Sequence, residues 1–206
     1  MKRRRKRVLS VICIRKRKDN YPPMHFHLNR EKRNQEKEKY IKNEDKKNER
    51  GIKGMRYADM PPYAPTLMES TRAIGYSIEA AIADIIDNSV AATAGKIDID
   101  FFPIGHSYIS ILDDGHGMSE EELIIAMQYG SRSPLDERAE NDLGRYGLGM
   151  KTASLSQCRI LTVISKKDGK VSGAQWNLNH IRQAESWSLI VLEEDEIVGF
   201  PNWGKN

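Results

Sequence analysis

The run AIADIIDNSVAA, from Ala81 to Ala92, constrains this chain more than any other stretch. At ~100° per residue, Ile78, Ile82, Ile85, Ile86 and Ser89 fall on one side of a helix, a stripe that needs a core to bury it. Asp84 and Asn88 stand four residues apart and stack on the opposite side, with Asp87 next to them. Ala80 and Ala91 flank that polar side. A solvated face is usually built from lysine and glutamate, which extend into water. Short acids and an amide on an alanine floor look more like a place where something is meant to sit. A short solvated face is the competing reading of this stretch taken alone.

Charge divides the chain in two. Residues 1–54 carry a net charge of +13 and residues 55–206 a net of −9. The basic balance therefore belongs to the first segment, and an acidic body argues against a broad nucleic-acid surface on it. NREKRNQEKEKYIKNEDKKNER cannot bury enough surface to offset its ordering entropy, so residues 1–54 are expected to be a disordered basic tail. Such a tail reads as an arm for DNA or another acidic partner, as a solvated linker, or as sequence upstream of a true start at Met55 or Met60. VLSVICI follows a basic start but is too short for a signal peptide, runs into RKRK and has no small-residue cleavage site. No apolar run approaches the ~20 residues of a membrane span. Two cysteines, Cys13 and Cys158, form no CxxC or Cys/His cluster, which suits a reducing cytoplasm without a disulfide framework or a zinc site.

The body is expected to order itself after a Pro-rich entry, YADMPPYAP. Thr66 to about Ala92 reads as helix, broken near Gly75 and closed by Ala94-Gly95 in a left-handed cap. KIDIDFF and SYISILD alternate and read as paired strands around a turn. Ser119 caps a helix running to about Gln128, and Glu122 three residues on completes a capping box. Residues 129–146 form a long polar loop, a length that marks functional or mobile loops. GLGMKTASLSQ turns into a helix. CRILTVISKK and KVSGAQWNL pair around Asp168-Gly169, the strongest hairpin signal here, and SLIVLEE adds a strand.

Two further segments carry chemistry. In ILDDGHGM a strand delivers Asp113 at its end, and Gly115 and Gly117 let the backbone approach a ligand with no Cβ in the way. A carboxylate there can accept a hydrogen bond from an exocyclic amine, which would select adenine over guanine. An ordinary strand-to-helix turn is the plainer alternative. In GRYGLGMK, Gly144, Gly147 and Gly149 lead into a helix whose N-terminal N–H groups can hold phosphates, with Lys151 adding a point charge. A hinge between loop and helix is the alternative. The spacing is neither a Walker A loop nor, for ILDDGHGM, a Rossmann fingerprint.

In this order and spacing the three motifs resemble the GHKL (Bergerat-fold) ATPases, which include gyrase-type topoisomerases, heat-shock chaperones, histidine kinases and MutL-type repair proteins. RYGLGMKTASLSQ looks closest to the MORC-like bacterial branch. The resemblance implies an α+β fold, a two-layer α/β sandwich over residues 55–206 with a mixed, mostly antiparallel sheet. It implies ATP and Mg²⁺ as ligands, Asn88 as the metal ligand and Asp84 as the acid that polarises the attacking water. Asp113 would bind the adenine amine, with Gly115, Gly117 and Met118 lining the base pocket. Gly144, Arg145, Tyr146, Gly147, Leu148, Gly149, Met150 and Lys151 would form the lid over the phosphates. Relatives suggest DNA and an ATP-dependent homodimer as partners.

Three departures qualify the expectation. The family usually has glutamate at Asp84; aspartate is one methylene shorter, so slow hydrolysis or binding without turnover follows. Ala91 stands where an aspartate is frequent. No Gly-Thr follows Lys151, so the sheet is expected to lack its last strands and the domain to be C-terminally truncated.

Overall fold

A computed structural model describes residues 8–13, 60–73, 75–104, 107–130 and 149–200. Nearly all of them belong to one unit assembled from residues 1–16 and 62–206. The other unit, 17–61, lies almost wholly outside the described residues.

Among the described residues six strands form one sheet: β1 (Val8–Cys13), β2 (Ile97–Phe102), β3 (Tyr108–Asp113), β4 (Ile160–Lys167), β5 (Lys170–Asn177) and β6 (Ile190–Leu192). Their order across the sheet is β2-β3-β1-β4-β5-β6, and each neighbouring pair is antiparallel. The helices are α1 (Ala64–Arg72), α2 (Ile78–Ala91), α3 (Glu120–Met127), α4 (Gly149–Gln157), α5 (Leu178–Ala184) and α6 (Glu194–Val198).

Alternation along the strands divides the side chains between two faces. Ile109 and Ile111 of β3, Leu161 and Val163 of β4, and Ala174 and Trp176 of β5 join one core. Met68 of α1, Ile85 of α2, Leu123 and Met127 of α3, Leu155 of α4 and Ile181 of α5 pack onto them. The opposite face carries a smaller cluster of Ile164, Leu192 and Ile197, to which α6 contributes. The result is the expected two-layer α+β sandwich.

Local signals decide most boundaries. The long helical run is indeed two helices, and Gly75 between them takes φ +82°, a conformation open to glycine. Ser77 caps α2 by accepting a hydrogen bond from the Ala80 amide. Ser119 and Glu122 form the reciprocal capping box of α3. Asp168 and Gly169 both take positive φ, 51° and 87°, as a two-residue hairpin turn with the right twist requires.

Two expectations are corrected. The left-handed residue after α2 is Thr93 (φ 59°), not Gly95. The Ala94 amide bonds back to the Ser89 carbonyl and the Thr93 amide to that of Val90, so closing the helix end outweighs the side chain's preference. The Gly95 amide instead donates to Asp114 Oδ1 at 2.6 Å. The second correction concerns residues 8–13. They form β1, between β3 and β4, where disorder was expected for all of 1–54. Val8, Leu9, Val11 and Ile12 make a short β-prone run whose signal the flanking arginines and lysines masked, and pairing on both sides offsets its ordering cost. The rest of 1–54, and loop residues 131–146, lie outside the described residues.

Candidate functional site

The core-facing side of α2 and the end of β3 are joined by a buried hydrogen bond. Ser89 Oγ donates to Asp113 Oδ2 at 3.0 Å, and the Gly115 amide donates to Asp113 Oδ1 at 2.9 Å. Asp113 is 5% exposed. Burial pushes its carboxyl above the ordinary aspartate range, opposed by the hydrogen bonds from Gly115 and Ser89. Each oxygen takes one donor, and an ionised carboxylate accepts about four. Asp113 therefore keeps acceptor capacity for an incoming amine.

The loop after β3 is stitched to the end of α2. Asp114 Oδ1 accepts from the Gly95 and Lys96 amides, and the His116 amide donates to the Ala92 carbonyl. A Cβ at Gly115 would lie 2.8 Å from both Ala92 Cβ and Ala92 O, and 2.9 Å from Asp113 Oδ1, so only glycine fits. Gly117 is buried with φ 72°. The Met118 amide donates to Ser165 Oγ of β4 at 2.7 Å, which fixes the loop's far side.

Asp84 and Asn88 share one face of α2. Asn88 Nδ2 donates to the Asp84 carbonyl at 2.8 Å, which turns the amide oxygen outward as a hard ligand suited to a cation such as Mg²⁺. Among the described residues no group of three or more His, Cys, Asp or Glu could hold a metal, so phosphate oxygens and water would have to complete any shell around Asn88. The first residue of α4 faces the acid: a Cβ at Gly149 would lie 3.7 Å from Asp84 Oδ2. Met150 is partly buried and packs on the main core. Lys151 is 2% exposed, and its Nζ donates to the Ala126 carbonyl at the end of α3 at 2.6 Å.

The structure thus groups Asp84 and Asn88 with Gly149 on one side, and Asp113 with Gly115, Gly117 and Met118 in the loop that Ser89 of α2 holds. Gly144, Arg145, Tyr146, Gly147 and Leu148 lie outside the described residues. Sequence reasoning missed Ser89 and Ser165. Ser89 left a usable sign, as the one polar member of an isoleucine stripe, where a hydroxyl needs a buried partner. Ser165 left none.

Comparison with known proteins identifies the family. The profile of the "Histidine kinase-, DNA gyrase B-, and HSP90-like ATPase" family matches residues 76–202, which contain α2, the β3 loop and α4. The chain is similar to the ATPase morc-1 of Caenorhabditis elegans, 34% identical over 93 residues, covering 45% of this chain and 10% of that protein. It is also similar to the DNA mismatch repair proteins MutL of Thermosipho melanesiensis and Pelotomaculum thermopropionicum. The first is 30% identical over 93 residues, 44% of this chain and 17% of that protein. The second is 38% identical over 85 residues, 41% of this chain and 14% of that protein. The chain spans less than a fifth of the length of each of these relatives. A family match over more than half of the chain, with a buried acid at the end of β3 and an Asp/Asn pair on α2, makes this protein a member of the GHKL family of ATPases.

Proposed function

We propose that this chain binds ATP with Mg²⁺ and hydrolyses it slowly, with residues 144–151 closing over the phosphates as a conformational switch. The observation that carries the reading is Asp113, nearly buried, held by Ser89 and Gly115 and keeping acceptor capacity. It accepts the adenine amine. Gly117 and Met118 line the base, and Gly115 lets the loop lie tight against Ala92. Asn88 would hold Mg²⁺, which when bound neutralises charge on the phosphates. The N-terminus of α4 turns its amides toward the same phosphates.

Asp84 orients a water for attack on the γ-phosphorus and takes its proton as the bond to ADP breaks. Phosphoryl transfer is mostly positioning and charge stabilisation, so a binding-competent site with a short acid turns over slowly. A 1 Å misplacement costs ~10²-fold. Lengthening the acid, Asp84→Glu, is expected to raise phosphate release; no change would count against the geometric argument.

The primary test is calorimetric titration of the full chain with Mg-ATP beside Asp113→Asn. Binding by wild type and at least a tenfold weaker affinity in the variant are expected, since a charge-assisted hydrogen bond contributes roughly 1.5–3 kcal/mol. A folded wild type that binds no ATP would sink the reading. The net charge of +13 on residues 1–54 favours a second role, DNA binding through that segment. Loss of affinity with rising salt, and its absence after the lysines and arginines of 30–53 are neutralised, would support it. The morc-1 and MutL relatives make DNA a reasonable probe.

A further inference from the structure

The loop from Asp114 to Met118 is fastened on both of its sides, by different elements. On the near side α2 and the turn after it hold the chain. Asp114 Oδ1 accepts from the Gly95 and Lys96 amides, and the His116 amide donates to the Ala92 carbonyl at 3.1 Å. On the far side two residues of β4 take over. The Met118 amide donates to Ser165 Oγ at 2.7 Å. Lys167 Nζ lies 2.6 and 2.7 Å from the carboxylate oxygens of Glu122, which also takes the Ser119 amide. The two contacts differ in surroundings. Ser165 is 1% exposed, whereas the side chains of Lys167 and Glu122 are 34% and 50% exposed, where an ion pair contributes little.

The strand registers define what the Ser165 contact spans. Val8 of β1 pairs with Asp113 of β3, and Leu9 with Ile164 of β4. One residue further along the second register, Ser165 stands level with Asp113 across β1, about 10 Å away at the backbone for two strand spacings. Asp113 follows Ile109 and Ile111, and Ser165 follows Leu161 and Val163, each at intervals of two, so both face the helix layer. The loop therefore leaves the sheet at Asp113, passes the end of β1 and is tied back down at Ser165. Met118, at that tie, packs on the main core.

We infer that Ser165 is a positioning residue for the base: by holding the Met118 amide it sets how far Met118 stands from Asp113, and so the width of the slot in which adenine meets that acid. This role rests on the ATP-binding reading and deepens it. Asp113 offers an acceptor for the amine but no opposing wall. A base left free to tilt would lose that hydrogen bond, which weakens steeply as its angle closes. Ser165 acts through the main chain of Met118 and needs no contact with the nucleotide. An apolar residue could not replace it, because the Met118 amide would lose its acceptor.

The experiment uses the full chain and two readouts: Kd for Mg-ATP by calorimetry, and amide hydrogen exchange of Met118 and His116 by ¹⁵N NMR without nucleotide. Ser165→Ala removes the acceptor and little else. It is expected to raise Kd roughly three- to tenfold, the reach of one neutral hydrogen bond. The Met118 amide should exchange at least tenfold faster, while the His116 amide, held on the near side, stays within twofold. On an Asp113→Asn background the same substitution should change Kd less than twofold, because its effect runs through the fit of the base to the acid. Lys167→Met breaks the exposed contact at the same end of β4 and should leave Kd within twofold. Four results would each overturn the inference. They are an unchanged Kd in Ser165→Ala, faster exchange at His116 as well as Met118, an additive loss on the Asp113→Asn background, and an equal loss in Lys167→Met. A wild type that binds no ATP overturns the parent reading and this one with it. A wild type that binds ATP no more tightly than Ser165→Ala overturns this one alone.

Discussion

Asp113, the proposed adenine contact, shows how a buried acid can work against the stability of its own fold. Its carboxylate is almost out of solvent, and the desolvation outweighs the donors Ser89 and Gly115, with Asp114 and His116 acting in opposite senses nearby. An acid whose folded pKa lies above its unfolded one binds more protons when folded. Stability then falls as pH rises from the ordinary aspartate range, about 3.9, through the raised value, and stays low above it. Asp113→Asn keeps the shape and both hydrogen bonds, since its amide oxygen can accept from Gly115 and its NH₂ can donate to Ser89. We expect the variant to be at least as stable as wild type at pH 7, with any gain shrinking toward pH 4, while ATP affinity falls. Urea denaturation at the two pH values measures this; a variant clearly less stable at pH 7 would mean that the extra strength the charge lends the two hydrogen bonds outweighs desolvation. The position of Asp113 was legible in the sequence, because a strand end followed by glycines is a local pattern. Its partner Ser89, 24 residues earlier, was hidden in a stripe that reads as core.

Among the elements, α3 has opposite solutions at its two ends. Its start is self-sufficient: Ser119 Oγ accepts from the Glu122 amide and Glu122 returns the bond to the Ser119 amide, at 3.3 and 2.7 Å. That box is written within four residues and could be read directly. Its end has no basic residue in the last turn, and its carbonyls are met from elsewhere. Lys151 of α4 reaches Ala126 O, and Trp176 Nε1 of β5 reaches Met127 O at 2.8 Å. A buried ammonium at the negative end of a helix dipole is well placed, and here it also fixes the start of α4, beside the acid. The lysine's sequence context suggested only phosphate, since a contact 25 residues away leaves no local mark. Lys151→Met fills similar space without the charge, and leaves Ala126 O without that donor. A loss of roughly 1.5–3 kcal/mol is expected, the range for a hydrogen bond to a charged group, less the desolvation that methionine spares. Chemical denaturation measures it. Unchanged stability would mean that the lysine is not needed at α3 and would favour a role on the phosphates.

For the whole molecule, what could be read depended on how far apart the interacting residues lie. Hairpin β4-β5, the β2-β3 pair, the break between α1 and α2 and the start of α3 rest on neighbours, and their signals were clear. The strand β1 rests on partners about 100 and 150 residues away, and a charge-dense setting concealed it. Its registers run Val8 to Asp113 and Ile12 to Ile109 on one side, Leu9 to Ile164 and Cys13 to Ile160 on the other. Without it the sheet divides into β2-β3 and β4-β5-β6, and β3 and β4 each present an unpaired edge beside core residues. Because Val8 pairs with Asp113, the same strand also fixes the end of β3 that carries the acid proposed to bind adenine. Val11 sits mid-strand, opposite Ser110 and Thr162, where proline removes a ladder donor and cannot be accommodated as it is at an edge. Val11→Pro is therefore expected to cost at least ~2 kcal/mol, the penalty of a lost ladder hydrogen bond in a central strand and the strain of the ring, and to weaken Mg-ATP binding with it. Lys2→Pro, outside the strand, serves as the control and should do neither. Thermal melting and calorimetry on both variants decide the matter. If Val11→Pro melts and binds as the control does, the sheet does not depend on residues 8–13, and its two halves must be held together by the helices packed across them.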